Sequence, residues 1–279
     1  MSEAPAENES PAMSESPARS EAHRLTDTQD YAGRIALVTG ALGAIGAATC
    51  EALRRRGARV VAADALAPMA EAGADLTRPE GVRLDVTDAA SIRALVDAIL
   101  ASVGPIDTLV NVAGVVSFGA AATLPEPEWD RVIDINLKGT FLACQAVMPA
   151  MKQARFGRIV NIGSVVGKNA GNARAWLDPA ELDRAGNVAY GVSKAGVHVM
   201  TGFLAKELAA FGVTVNAVAP GPIATAMTTN FPDTLRALLP VGRMGTPEDV
   251  ARAIAFLASR DSGFINGEVL DVNGGIVCD

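Results

Sequence analysis

The sequence predicts an α/β fold: a single domain built on a doubly wound parallel sheet. Three observations carry that expectation. Short apolar runs rich in β-branched residues alternate with helical stretches, the rhythm of successive βαβ units. The first run ends in a glycine-rich turn that opens a helix. The 279 residues are 49% hydrophobic but only 4% aromatic, enough for one large core filled mainly by Val, Ala, Leu and Ile.

Residues 1–31 read as a disordered acidic tail, and the folded domain is expected over 32–279. Pro, Ser, Glu and Ala dominate the tail, and it lacks the basic start and apolar segment of a secretory signal. Seven acids (Glu3, Glu7, Glu9, Glu15, Glu21, Asp27, Asp30) face Arg19 and Arg24 there, so most of the formal charge of -7 lies outside the domain.

Arg34–Thr39 is the first buried strand. Gly40, Leu42, Gly43, Ala44, Ile45 and Gly46 then form a turn into a helix from about Ile45 to Arg56. Exposed amides and the helix dipole attract an anion at such a turn, and glycine lets the backbone approach it, so these residues are the candidate phosphate site. The next strand, Ala58–Ala63, ends at Asp64, 18 positions beyond Gly46. A carboxylate there accepts both ribose hydroxyls of NAD and repels the 2'-phosphate of NADP. No Arg or Lys stands in the turn or directly after Asp64, so the expected cofactor is NAD.

A third strand is expected over Val82–Thr87, with Asp88 capping a helix over Ala89–Val103. A fourth, Ile106–Val110, enters Asn111-Val112-Ala113-Gly114. A long helical stretch from about Glu128 to Ala154 contains Asn136, and a fifth strand, Gly157–Gly163, delivers Ser164. A polar segment follows, with Trp176 and the helix-start signature Asp178-Pro179-Ala180-Glu181. Then come a helix carrying Tyr190, a sixth strand at Val213–Val218, and Pro220-Gly221-Pro222-Ile223-Ala224-Thr225. Ligands of such a sheet bind at the carboxyl ends of its strands, where these turns and polar residues fall.

Tyr190 and Lys194 stand four positions apart on one helix face. A nearby cation stabilises a phenolate, so Lys194 is expected to lower the Tyr190 pKa and make it a general acid/base. Neither tail nor domain offers the basic surface that attracts nucleic acid or anionic lipid. No apolar run approaches the roughly 18 residues of a membrane span. Cys50, Cys144 and Cys278 lack metal-ligand spacing, so no metal site is expected and the thiols suit a reducing cytoplasm.

Over about residues 32–277 the chain resembles the short-chain dehydrogenase/reductase family. The likeness rests on Thr39-Gly40-x-x-x-Ala44-x-Gly46, Asp85-Val86, Asn111-Val112-Ala113-Gly114, Asn136, Ser164, Tyr190-x-x-x-Lys194, Pro220-Gly221 and Asp271-Val272-Asn273-Gly274-Gly275. It implies a Rossmann fold with Tyr190 as acid/base and Lys194 on the nicotinamide ribose. Ser164 would bond the substrate oxygen, and Asn136 would keep a water-linked proton path. The adenine would lie by Asp85 and Val86, the nicotinamide ribose by Val112, Ala113 and Gly114, and the nicotinamide amide along Pro220, Gly221, Pro222, Ile223 and Thr225. A homotetramer built through the Glu128 and Tyr190 helices is implied as well.

The chain departs from the family pattern in three places. Ala44 stands where many members have glycine. Val112 replaces a common second asparagine, which leaves only backbone for contact there. The interval of 26 residues from Ser164 to Tyr190 is about twice the family's usual one, so an insertion is expected over about 168–187, with Trp176 and Leu177 facing substrate or a neighbouring subunit. Residues 224–239, with Met227, Phe231 and Leu235, are expected to form a mobile lid. The implied activity is NAD-dependent interconversion of a secondary alcohol and a ketone, read as catabolic oxidation. The alternatives are a 3-oxoacyl-thioester (acyl-carrier-protein) reductase, whose biosynthetic relatives usually prefer NADPH, and a non-catalytic NAD-sensing protein.

Overall fold

The computed structural model describes residues 30–71, 73–170, 186–229 and 236–278. Seven parallel strands form one sheet in the order β3-β2-β1-β4-β5-β6-β7. They are β1 (Ile35–Thr39), β2 (Arg59–Asp64), β3 (Val82–Arg83), β4 (Thr108–Asn111), β5 (Gly157–Ile162), β6 (Val213–Pro220) and β7 (Val269–Val272). The order reverses direction between β1 and β4, which opens a crevice at their carboxyl ends.

Both sheet faces are covered, as unbroken burial along β1, β5 and β6 requires. On one face, α1 (Ala44–Arg55) and α7 (Pro247–Leu257) supply Cys50, Leu53, Val250 and Ile254 to the core. On the other, α2 (Ala89–Ser102), α4 (Gly139–Ala154) and α6 (Val188–Leu208) supply Ile92, Val96, Val147, Met151, Leu204 and Leu208. Asp88 caps α2 by accepting from the Ala90 amide. No helix among the described residues is long and apolar enough to cross a membrane.

The structure departs from the sequence reading at several elements. Residues 1–29 of the tail lie outside the described residues, but Asp30 and Tyr31 belong to the domain. Tyr31 is fully buried, its hydroxyl donates to the Ala255 carbonyl at 2.5 Å, and Asp30 pairs with Arg56. The expected strand over Val82–Thr87 stops at Arg83, because the Asp85 carboxylate accepts from both the amide and the hydroxyl of Thr87 and turns the chain. The long helix divides into α3 (Glu126–Ile133), a π-helical turn (Asp134–Lys138) and α4, and the short α5 (Val166–Asn169) follows β5. Strand β7 had no clean apolar signal, since all four of its residues are only half-buried at the sheet edge.

Candidate active site

A cleft of about 2330 Å3 opens along the carboxyl edge of the sheet. Among the described residues, every catalytic or cofactor-binding residue expected from sequence lines it except Asn136 and Lys194, which are buried beneath it.

The glycine turn is shaped by close backbone packing. A side-chain carbon on Gly40, whose φ is +62°, would come within 2.6 Å of the Ala113 nitrogen, and one on Gly46 within 2.1 Å of the Gly40 carbonyl oxygen. Gly43 begins α1 with no side-chain cap, which leaves the first amides of that helix to meet an anion. Ala44 is exposed at the first helical position, so its methyl meets no obstacle and glycine is not required there.

Asp64 ends β2 with its carboxylate drawn toward this turn: one oxygen accepts from the Leu42 amide and the other from the Leu66 amide, both at 3.0 Å. The neighbouring cleft residues Leu42, Ala65, Leu66 and Asp85 add no cation. A carboxylate so placed can accept hydrogen bonds from the hydroxyls of a ribose.

Tyr190 projects into the cleft from α6, and its hydroxyl faces the side chain of Ser164 just beyond β5 closely enough for the serine to lower its pKa. Ser164 Oγ accepts from the Val166 amide at 3.2 Å. Burial pushes the Tyr190 hydroxyl above its ordinary pKa, and Ser164 offsets part of that rise. The lowering by Lys194 expected from the sequence is not found. Lys194 Nζ donates to the Ile162 carbonyl at 2.7 Å and stands 5.8 Å from the Tyr190 ring centroid. Its own burial pushes it down to about 8. Desolvation, which spacing along a helix cannot reveal, decides both shifts.

Asn136 lies in the π-helical turn, fully buried. Its Oδ1 accepts from the Val115 amide at 2.8 Å, and its Nδ2 donates to the Val115 carbonyl at 2.9 Å and to Ser193 Oγ at 3.0 Å. Ser193 Oγ in turn donates to the Tyr190 carbonyl. Both amide hydrogens are thus committed, and the side chain clamps the loop after β4 to the Tyr190 helix. Asn136→Ala leaves several buried groups without partners and is expected to cost about 3 kcal/mol, lowering Tm by roughly 6–12 °C for a chain of this size. Thermal melting checks this, and an unchanged Tm would contradict the clamp.

Sequence reasoning missed Ser193, Thr39, whose Oγ1 accepts from the Ala113 amide, and the cleft residues Val116 and Phe118. Their signal was slight: Thr39 opens the glycine motif and Ser193 lies within the Tyr190-to-Lys194 spacing, neither with a role assigned, and a short apolar run follows Gly114. Of the expected insertion, Lys168 pairs with Asp271 at 3.0 Å, and the Gly186 carbonyl accepts from the Gly119 amide at 2.7 Å. Both ends are thereby tied to the cleft rim. Trp176, Leu177 and the helix start at Asp178 lie outside the described residues, as do Phe231, Leu235 and the side chain of Met227.

Residues 40–277 match the family model described as Enoyl-(Acyl carrier protein) reductase. The 3-oxoacyl-[acyl-carrier-protein] reductase FabG of Escherichia coli (strain K12) is 41% identical over 253 residues, covering 88% of this chain and 98% of that protein. The protein of the same name from Thermotoga maritima is 40% identical over 256 residues, with the same coverage. Nodulation protein G of Azospirillum brasilense is 39% identical over 254 residues, 87% of this chain and 98% of that protein. Among solved structures, the crystal structure of gox2181 matches with a TM-score of 0.78 and 32% identity, over 89% of this chain and 98% of that one.

Proposed function

The chain belongs to the short-chain dehydrogenase/reductase family, and from that premise we propose that it reduces the 3-oxo group of an acyl thioester to a secondary alcohol, with NADH as reductant. The observation that carries this reading is the placement of the Tyr190 and Ser164 side chains together in the cleft at the carboxyl edge of the sheet. A phenol at that place gives a proton to a ketone oxygen in reduction and takes one back in oxidation; the names of the relatives favour the reducing direction over the oxidative one expected from the sequence. The relatives' names support the thioester. So do the apolar residues Val116, Phe118, Val166, Val188 and Val192 in the lining of the same cleft, which suit an acyl chain.

When bound, the nicotinamide cofactor supplies the hydride. The amides of the Gly40–Gly46 turn would hold its pyrophosphate, Asp64 its adenosine ribose, and Asp85 and Val86 its adenine edge. Val112 to Gly114 and Pro220 to Ile223 with Thr225 would border its nicotinamide half. Ser164 Oγ donates to the substrate oxygen and steadies the developing charge, while Tyr190 delivers the proton. Lys194 places a positive charge under the floor of the cleft, against Gly114. The same residues run in reverse for NAD-dependent oxidation of another secondary alcohol, the second reading, which Asp64 favours equally. Turnover of acetoacetyl thioester against a panel of secondary alcohols separates the two.

Exposed Val199 and Phe203 on α6 support the homotetramer, which sedimentation tests, and a cytosolic setting accompanies this reading. Lys194 is charged below about pH 8 and neutral above it. The kcat/KM for the cofactor, which follows groups of the free enzyme, is therefore expected to be level below about 8 and to fall above it. In Lys194→Arg, which stays charged, that fall should vanish from the range; a profile identical to wild type would show that Lys194 does not govern it.

A further inference from the structure

The strand that delivers Ser164 is held on one side by β6: the Gly163 amide donates to the Val218 carbonyl at 2.8 Å and the Val165 amide to the Pro220 carbonyl at 3.0 Å. The amide between them, that of Ser164, points the other way. On that side β4 has ended, since its pairing with β5 stops at Asn111 and Asn161. Ser164 is nearly fully buried, and an amide there without an acceptor would be a substantial penalty.

The acceptor is a side chain. His198 lies one helical turn beyond Lys194 on α6, and its Nε2 accepts from the Ser164 amide at 3.2 Å. The ring has a seat cut for it. A side-chain carbon on Gly163 would fall 2.0 Å from Nε2 and 2.5 Å from Cδ2, and one on Gly167 would fall 3.0 Å from Cε1. Gly163, next to Ser164, thus leaves the space that the imidazole fills, while Gly167 lets the chain lie against the α6 backbone at Lys194 and Ala195. Because Nε2 accepts, the ring proton of the neutral imidazole resides on Nδ1.

We propose that His198 is a positioning residue for Ser164: its Nε2 takes the place of the missing strand partner and fixes the backbone from which Ser164 Oγ reaches Tyr190 and the substrate oxygen. The inference rests on the role given to Ser164 above. Loss of the acceptor leaves the cofactor half of the cleft intact and lets the serine drift, and a drift of about 1 Å at a reacting group lowers the rate by up to about a hundredfold.

Four variants test this. In H198Q the terminal amide oxygen comes to the place of Nε2, and kcat is expected within about threefold of wild type. In H198N the amide is as polar but one methylene short, and in H198L there is no acceptor; both are expected to lose about tenfold or more in kcat, with KM for NADH unchanged. Wild-type kcat in H198N or H198L, or equal impairment of H198Q and H198L, overturns the proposal. Should a variant fail to fold, amide hydrogen exchange at Ser164 in the wild-type chain decides, with strong protection expected and exchange at the rate of an open loop contradicting it. S164A separates the two readings. Full activity there sinks the catalytic role of Ser164, whereas an inactive S164A beside fully active His198 variants sinks only the role of His198.

Discussion

Tyr190→Phe is expected to lower kcat for ketone reduction by about a thousandfold, in the middle of the range for removal of a general acid. The substitution removes one oxygen and keeps the ring, so the packing of α6 against the cleft persists. Ser164 keeps the Val166 amide, and the glycine turn and Asp64 are untouched. The Kd for NADH, measured by fluorescence titration, should therefore match wild type. A kcat within tenfold of wild type would mean that the proton comes from elsewhere, and a large loss of NADH affinity would mean that Tyr190 serves binding instead.

The second large effect is expected at Asp64. Its carboxylate does two things: it accepts from the Leu42 and Leu66 amides, and it places a negative charge where a 2'-phosphate would lie. Asp64→Asn keeps an acceptor for the Leu42 amide and removes the charge. Relief of repulsion against a dianion near the surface is worth about 1.4–3 kcal/mol, so kcat/KM for NADPH relative to NADH should rise roughly 10–100-fold. Steady-state kinetics with both cofactors read this directly. An unchanged ratio would show that the charge of Asp64 does not choose the cofactor.

What was legible in the sequence lay at strand ends. Gly40, Gly46 and Asp64 follow short apolar runs at spacings that one βαβ unit fixes, and Ser164 and Tyr190 follow the next crossovers, so local pattern alone brings them to one cleft. What was not legible depends on partners far along the chain or on burial. Asn136 reads as a polar residue in a helix until Val115, 21 residues away, is seen to take both its amide groups. Lys194 reads as the neighbour of Tyr190, yet its ammonium reaches the Ile162 carbonyl and is desolvated. The sign of the Tyr190 shift followed from that misplaced emphasis, since spacing suggested a stabilising charge and burial supplied the opposite effect. Tyr31 was hidden by the tail's composition, which gives no sign that one aromatic ring folds back between Arg34 and Arg56.

The most direct test is turnover of an acetoacetyl thioester by the full chain, followed by loss of reduced-cofactor absorbance with NADH and NADPH in parallel. The account predicts reduction to the 3-hydroxyacyl product, with kcat/KM for NADH at least tenfold above that for NADPH. No reduction of the thioester, together with NAD-dependent oxidation of an unrelated secondary alcohol, would contradict it.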